Sequence, residues 1–249
     1  MDFSDKTVLI TGASRGIGLG IAEGFAKAGA RLHVLADEER IFDVAPALGA
    51  TPHLADITDT RAVTACLAQI PVLDVLINNA GLERLTPLDD ASDETAAIFA
   101  RILNVNVLGT YLVTRAALPK LPKGGRIIST SSVWGRVAEP FFGAYVASKH
   151  AVIGLTKCWA RELGPRGINV NAVAPGWVRT ESALRSLTHM AARGAVAEET
   201  LLASILAAQA LPGLMEPADM AGIYMFLASP YAANITGQTI GADRGEAPC

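Results

Sequence analysis

Tyr145 and Lys149 stand four residues apart in Tyr145-Val146-Ala147-Ser148-Lys149. On a helix that spacing sets both side chains on one face, and the apolar positions Val152, Leu155 and Trp159 continue a helical period beyond them. A phenol with an ordinary pKa of about 10 is a poor acid or base near neutrality, but a neighbouring ammonium stabilises its phenolate and draws that value down. The pair is therefore expected to give a proton to, or take one from, a substrate oxygen. Alone it fits a solvated helix face equally well, so the assignment depends on the residues that accompany it.

A second chemical feature lies near the start, in Thr11-Gly12-Ala13-Ser14-Arg15-Gly16-Ile17-Gly18. The turn follows an apolar run, Thr7–Ile10, and opens a helix marked by Ile17, Ile21 and Phe25. A helix N-terminus offers unsatisfied N–H groups and the positive end of its dipole, and glycines let a pyrophosphate approach the backbone. A dinucleotide site is expected here. A rival reading takes Gly12-Ala13-Ser14-Arg15-Gly16 as a nucleophile elbow with Ser14 as a hydrolase nucleophile. That elbow needs an earlier loop for its oxyanion donors, whereas only ten residues precede Thr11, and neither His150 nor His189 has the setting of a catalytic histidine.

These residues need a scaffold that brings loop ends together. Short apolar runs at Thr7–Ile10, Leu32–Leu35, Pro52–Ala55, Val75–Asn78, Arg126–Thr130, Asn169–Ala174 and Thr239–Gly241 alternate with helical patterns. The alternation predicts an α/β fold with a parallel sheet of about seven strands, buried on both faces. Long helices are expected over Glu94–Ala117, Ala144–Leu163 and Pro217–Ala228, the last opening on a proline. The Ala-, Leu- and Met-rich stretch at about 181–215 reads as a helical flap over the substrate. A single domain spanning 1–249 is expected.

The glycine turn, Asn78-Asn79-Ala80-Gly81, Asn106, Ser132, the Tyr145/Lys149 pair and Pro175-Gly176 occur in one order, and together they resemble the short-chain dehydrogenase/reductase family. The resemblance runs from about Lys6 to Gly241. It implies a three-layer Rossmann-type fold, a nicotinamide cofactor, and a secondary alcohol or ketone as substrate. It also implies assembly as a homotetramer or homodimer. By resemblance the catalytic set is Asn106, Ser132, Tyr145 and Lys149, with Ser132 preferred to Ser131 because it stands thirteen residues before Tyr145. Ser132 would hold the substrate oxygen, Tyr145 would exchange its proton, Lys149 would also bind the nicotinamide ribose, and Asn106 would hold a water linking Lys149 to solvent. The cofactor is assigned to Gly12, Ser14, Arg15, Gly16, Ile17 and Gly18, to Asn79, Ala80 and Gly81, and to Tyr145 and Lys149. Pro175 and Gly176 join it after the sixth strand, with Val178 and Thr180 at the carboxamide.

The residues just past the second strand separate NAD from NADP. An acid there binds the adenosine ribose and repels a 2′-phosphate. The run Asp37-Glu38-Glu39 favours NAD, with Asp37 taken as the ribose ligand, while Arg15 is of the kind that grips a 2′-phosphate. Asp56 and Ile57 are assigned to the adenine, although Asp56 also suits a helix cap.

With 21 Lys and Arg against 24 Asp and Glu, the net charge is −3, and no basic run marks a nucleic-acid surface. Hydrophobic residues make up 51%, enough for a large core. Cys66, Cys158 and Cys249 are widely separated, the opening Met1-Asp2-Phe3-Ser4-Asp5-Lys6 has no basic segment leading into an apolar one, and no uninterrupted apolar run nears the roughly 18 residues of a membrane span. A cytoplasmic enzyme without membrane attachment is expected. His33, His53, His150 and His189 read as isolated, so no metal is expected. Glu83, Arg84, Trp134, Glu139, Trp177 and the flap should border the substrate, a setting that suits a polyol or sugar and equally suits a solvent-exposed rim. Gly237–Gly245 resembles the family's terminal strand and loop, with Ala242 and Arg244 departing from it. A cofactor-binding sensor without turnover is the remaining alternative.

Overall fold

Runs of Val, Ile and Leu fit a pleated sheet covered on both sides, and the computed structural model, which describes residues 1–248, shows that sheet. Its strands are β1 (Thr7–Thr11), β2 (Arg31–Ala36), β3 (Thr51–Leu54), β4 (Val75–Asn78), β5 (Arg126–Thr130), β6 (Asn169–Pro175) and β7 (Thr239–Ala242). All seven are parallel, in the order β3-β2-β1-β4-β5-β6-β7, with Ile10 paired to Val34 on one side and Ile77 on the other. The order reverses between β1 and β4, and ligands of open α/β sheets bind at such a switch point, outside the carboxyl ends of the strands.

Alternate strand residues serve different layers. Val8 and Ile10 pack with Ile21 and Phe25 of α1 (Gly16–Lys27) and with Tyr224 and Leu227 of α9 (Ala221–Ala228). Leu9 and Leu76 face Val63 of α3 (Thr60–Ala68), Val113 of α5 (Thr110–Ala117) and Trp159 of α6 (Gly143–Leu163). Each such side chain contributes roughly 1.5–3 kcal/mol on burial. Glycine brings α1 against the turn before α9, since a Cβ at Gly20 would lie 2.3 Å from the Pro217 carbonyl oxygen. The connection between β2 and β3 is α2 (Arg40–Leu48).

The helix expected over Glu94–Ala117 is real but not uniform. It begins as α4 (Asp93–Leu103), passes through a π-helical turn at Asn104–Gly109, and continues as α5. An apolar period cannot reveal an added residue per turn. Here the turn sets Gly109 against Ile57, whose Cδ1 would lie 2.6 Å from a Cβ. The run Asp93–Lys120 is long and apolar enough, by length and composition, to cross a membrane. In this fold it is an outer-layer helix that buries Ile102, Val113 and Ala117 and leaves Phe99, Leu108 and Tyr111 exposed. The expected helix at Pro217 starts as a 3-10 turn, Pro217–Met220, closed by a reciprocal cap between Glu216 and Asp219.

Two helices, α7 (Glu181–Gly194) and α8 (Glu198–Ala207), make up the stretch read as a flap. Leu187, Leu201 and Ile205 pack on a third apolar cluster of Trp134, Phe142 and Trp177. Two of the histidines are not isolated. In parallel register His33 faces Thr51 and His53 faces Leu35, so the two histidines sit diagonally on one face, with Nδ1 and Nε2 3.0 Å apart. Burial lowers the pKa of both, His53 to about 4. Cys66 is buried and Cys158 exposed, both as free thiols, while Cys249 lies outside the described residues.

Candidate active site

The glycine turn is built to present bare N–H groups. Gly12 and Gly16 take left-handed φ values of 66° and 55°, Arg15 is extended, and no side chain caps the first turn of α1. The unpaired donors and the dipole at this end favour an anion. A Cβ at Gly18 would come within 2.1 Å of the Gly12 carbonyl oxygen, so only glycine seats the helix this closely on the turn. Thr11 then ties the turn to the loop after β4: its Oγ1 accepts from the backbone N–H groups of Asn79 and Ala80, both at 3.0 Å. Asn79 returns the contact, its Nδ2 donating to the carbonyls of Thr11 and Gly12 at 3.2 and 3.1 Å. Thr11 was absent from the site read from sequence; its signal is its place at the head of the glycine motif.

Beyond β2 the carboxylate that engages the turn is Glu38. It accepts from the Ser14 hydroxyl and pairs with Arg15 at 3.2 Å, while Asp37 is exposed at the cleft wall. Arg15 also lies 3.5 Å from Glu181, which Arg40 approaches to 3.1 Å. Ser14 thus donates to a carboxylate, where a hydrolase nucleophile would donate to a histidine. Asp56 accepts from the N–H and hydroxyl of Thr58 and pairs with Arg101 at 2.7 Å. The cap of α3 is Asp59 instead. The cleft, about 420 Å³, is lined by Gly12, Ser14, Arg15, Gly16, Ile17, Asp37, Asp56, Ile57, Asn79, Ala80, Gly81, Tyr145, Lys149 and Thr180. Gly18 lies beneath its floor. A dinucleotide fits this donor set: bare helix N–H groups for a diphosphate, carboxylates for hydroxyls.

An adjoining cavity is lined by Ser132, Tyr145, Pro175, Gly176, Val178 and Thr180, and Tyr145 borders both spaces. The Ser132 hydroxyl accepts from the Trp134 N–H at 3.2 Å and shares the cavity wall with Tyr145. Ser131, by contrast, donates to the Lys149 carbonyl at 3.0 Å, a purely structural use. Lys149 is buried; its Nζ donates to the Thr130 carbonyl at 2.8 Å and lies 5.4 Å from the centre of the Tyr145 ring.

The expectation that Lys149 draws the phenol's pKa down does not hold in this arrangement. Burial pushes the Tyr145 phenol up, the Glu83 carboxylate adds to the rise, and the Ser132 hydroxyl opposes it. Burial also lowers Lys149 to about 8, against the pull of Glu83. Removing two groups from water penalises both charged forms, and the ammonium rests over the ring face with its hydrogen bond going elsewhere. Asn106 lines neither space. Its Oδ1 accepts from Leu82 N–H at 2.7 Å, and its Nδ2 donates to Leu82 O and Ser148 Oγ, both at 2.9 Å. Both amide hydrogens are thus occupied by protein acceptors, and the side chain pins the loop that carries Gly81 and Glu83.

Trp134 and Trp177 form the apolar wall, edge to face at 5.9 Å, and Trp134 meets the Tyr145 ring the same way at 6.0 Å. Glu83 reaches the cavity; Glu139 does not, and acts electrostatically on Glu246 in the tail. Arg84 turns back to its neighbour, donating to the Glu83 carbonyl at 2.7 Å. The departure at Arg244 has a local basis. Its φ of 54° suits glycine better, but its guanidinium donates to Pro212 O at 2.6 Å and its carbonyl accepts from Leu211, tying the tail to the end of the flap.

A family model described as enoyl-(acyl carrier protein) reductase matches residues 12–246. The oxidoreductase UcpA of Salmonella typhimurium is 39% identical over 244 residues, covering 93% of this chain and 90% of that protein. A D-beta-hydroxybutyrate dehydrogenase of Rhizobium meliloti is 34% identical over 255 residues, covering 96% of this chain and 98% of its own. Among solved structures, a short chain dehydrogenase of Burkholderia cenocepacia in complex with NADP is 32% identical with a TM-score of 0.82, covering 97% of both chains.

Proposed function

This chain belongs to the short-chain dehydrogenase/reductase family, and from that premise we propose that it moves a hydride between a nicotinamide dinucleotide and a secondary alcohol or ketone. One observation carries the reading: Tyr145 stands at the junction of the cleft and a second cavity whose wall it shares with Ser132. Bound in the cleft, the nicotinamide would supply the hydride donor or acceptor.

In the reducing direction the substrate oxygen sits between the Ser132 and Tyr145 hydroxyls, and the charge that develops on it is met by the Tyr145 proton. A phenol held protonated by burial suits that role. In the oxidising direction Tyr145 must first give up its own proton before it can take the alcohol's, a step that burial opposes and high pH favours. Lys149 holds the ribose, and Asn106 acts as a positioning residue through Leu82. Ser132 holds the oxygen so that attack occurs in one geometry.

NAD is the proposed cofactor, with NADP the alternative. Arg15, the cation suited to a 2′-phosphate, is engaged by Glu38 and Glu181, and Asp37 adds negative charge to the same wall. The Burkholderia cenocepacia relative holds NADP, so the preference rests on these carboxylates alone. A single domain serves both cofactor and substrate, with α7 and α8 as its flap. The exposed apolar side chains Phe99, Leu108 and Tyr111 support assembly of copies through the α4–α5 face, as a homodimer or homotetramer. Free thiols at Cys66 and Cys158 suit a cytoplasmic setting.

The reading is tested by following reduced-cofactor absorbance with a panel of secondary alcohols, polyols and ketones. Turnover of at least one class is expected. Cofactor binding without turnover across the panel would favour a sensor, and ester hydrolysis lost in Ser14→Ala would favour the elbow.

A further inference from the structure

Within the cavity beside Tyr145 the walls are Ser, Thr, Trp and small apolar side chains, and one carboxylate, Glu83. Among the described residues no lysine or arginine lines it. The cations nearest to it stand outside its walls: Arg15, Arg101 and Lys149 line the cofactor cleft, which Glu83 also borders, and Arg185 of α7 donates to the Ser182 hydroxyl at 3.0 Å. An anionic substrate entering this cavity therefore meets no cation on its described walls, and it meets Glu83, on which Arg185 and Lys149 act from outside the cavity.

Glu83 is placed by two independent anchors. Asn106 holds its neighbour Leu82 on both the N–H and the carbonyl, and the Ser182 hydroxyl of α7 donates to Glu83 Oε2 at 3.2 Å. Among the described residues Glu83 makes no ion pair within 4.0 Å. Burial raises its pKa, as expected of a carboxylate with fewer donors than water would give it. It lines the same cavity as Tyr145, and its field reaches both Tyr145 and Lys149. A ligand that brings a donor satisfies the carboxylate; a ligand that brings a negative charge leaves two like charges in a partly desolvated pocket.

We propose that Glu83 is the substrate-selecting residue: it accepts a hydrogen bond from a hydroxyl or ammonium group next to the reacting carbinol and rejects substrates that carry a carboxylate, phosphate or sulfate there. The inference rests on the oxidoreductase reading and narrows it to vicinal diols, polyols and amino alcohols. Trp134 and Trp177 complete the site, since an indole face receives the apolar side of a polyol or the ammonium of an amino alcohol.

The test uses a matched series, CH3-CH(OH)-CH2-X, in which X is hydroxyl, ammonium, methyl or carboxylate. For the wild-type chain with bound cofactor, kcat/KM is expected to favour the hydroxyl and ammonium members over the carboxylate by at least about tenfold, the scale of one charge-assisted hydrogen bond. Glu83→Gln keeps an acceptor for Ser182 and removes the charge, so the carboxylate should gain and the ammonium should lose. Glu83→Asp should keep the wild-type order. A wild-type preference for the carboxylate, or an order unchanged in Glu83→Gln, overturns the proposal. Quenching of indole fluorescence reads the same order from binding: if the order appears there without turnover in any member, selection by Glu83 stands and the oxidoreductase reading falls.

Discussion

The Lys149 ammonium lies over the face of the Tyr145 ring, 5.4 Å from its centre, and donates its hydrogen bond to the Thr130 carbonyl. It is therefore positioned to set the electrostatics of the site and to reach the cofactor cleft, without contacting the phenol oxygen. Lys149→Met is expected to weaken cofactor binding and turnover together, each by about tenfold or more, as loss of a charge-assisted contact does. Isothermal titration of the dinucleotide and steady-state rates check this. A rate loss with cofactor affinity intact would limit Lys149 to the proton step.

Lys149 also gives a pH signature. Its folded pKa is about 8 against an ordinary value of 10.5, so between those values the unfolded chain holds a proton that the folded chain has released. Where the unfolded state binds more protons, stability rises with pH. Lys149 therefore opposes folding most at or below about pH 8, and the penalty fades as pH rises toward 10.5. Thermal unfolding of wild type and Lys149→Met across this range should show their difference in Tm shrinking with pH. A constant difference would mean that the buried amine titrates normally.

Cofactor choice is expected to turn on Glu38. Glu38→Gln frees Arg15 from its 3.2 Å partner, so NADP affinity should rise by about tenfold while NAD affinity changes little. Titration of both dinucleotides against both chains decides it. Tighter binding of NADP by the wild type would show that Arg15 outweighs the acidic wall.

Asn106→Ala removes three hydrogen bonds from a buried position, and the Leu82 backbone loses partners for both its N–H and its carbonyl. A cost of about 1–3 kcal/mol in stability is expected from unsatisfied polar groups, together with a lower rate through the displaced Gly81–Glu83 loop. Denaturant unfolding measures the first. Unchanged stability would remove the positioning role.

Much of the fold was legible in sequence because strands buried on both faces are continuous apolar runs, and β4, β5 and the alternation of strands with helices emerge from them. The glycine turn was legible because steric need leaves a mark: only glycine tolerates the approach at Gly18. The hidden features depended on contacts between distant segments. Glu38, one of three consecutive acids, is singled out only when Ser14 and Arg15 fold against it. His33 and His53 meet only through the β2–β3 register. The π-helical turn at Asn104–Gly109 has no counterpart in a simple apolar period. The rise in the Tyr145 pKa comes from burial, which spacing alone does not report.

The role of Tyr145 is tested most directly by Tyr145→Phe, assayed on a substrate whose chemical step limits the rate. Removing the hydroxyl deletes the proton donor and little of the packing against Trp134. Turnover should fall by about 10²–10⁴-fold, the range typical of a general acid or base, while dinucleotide affinity stays near that of the wild type. A variant that retains more than about a tenth of the wild-type rate would contradict proton transfer by Tyr145.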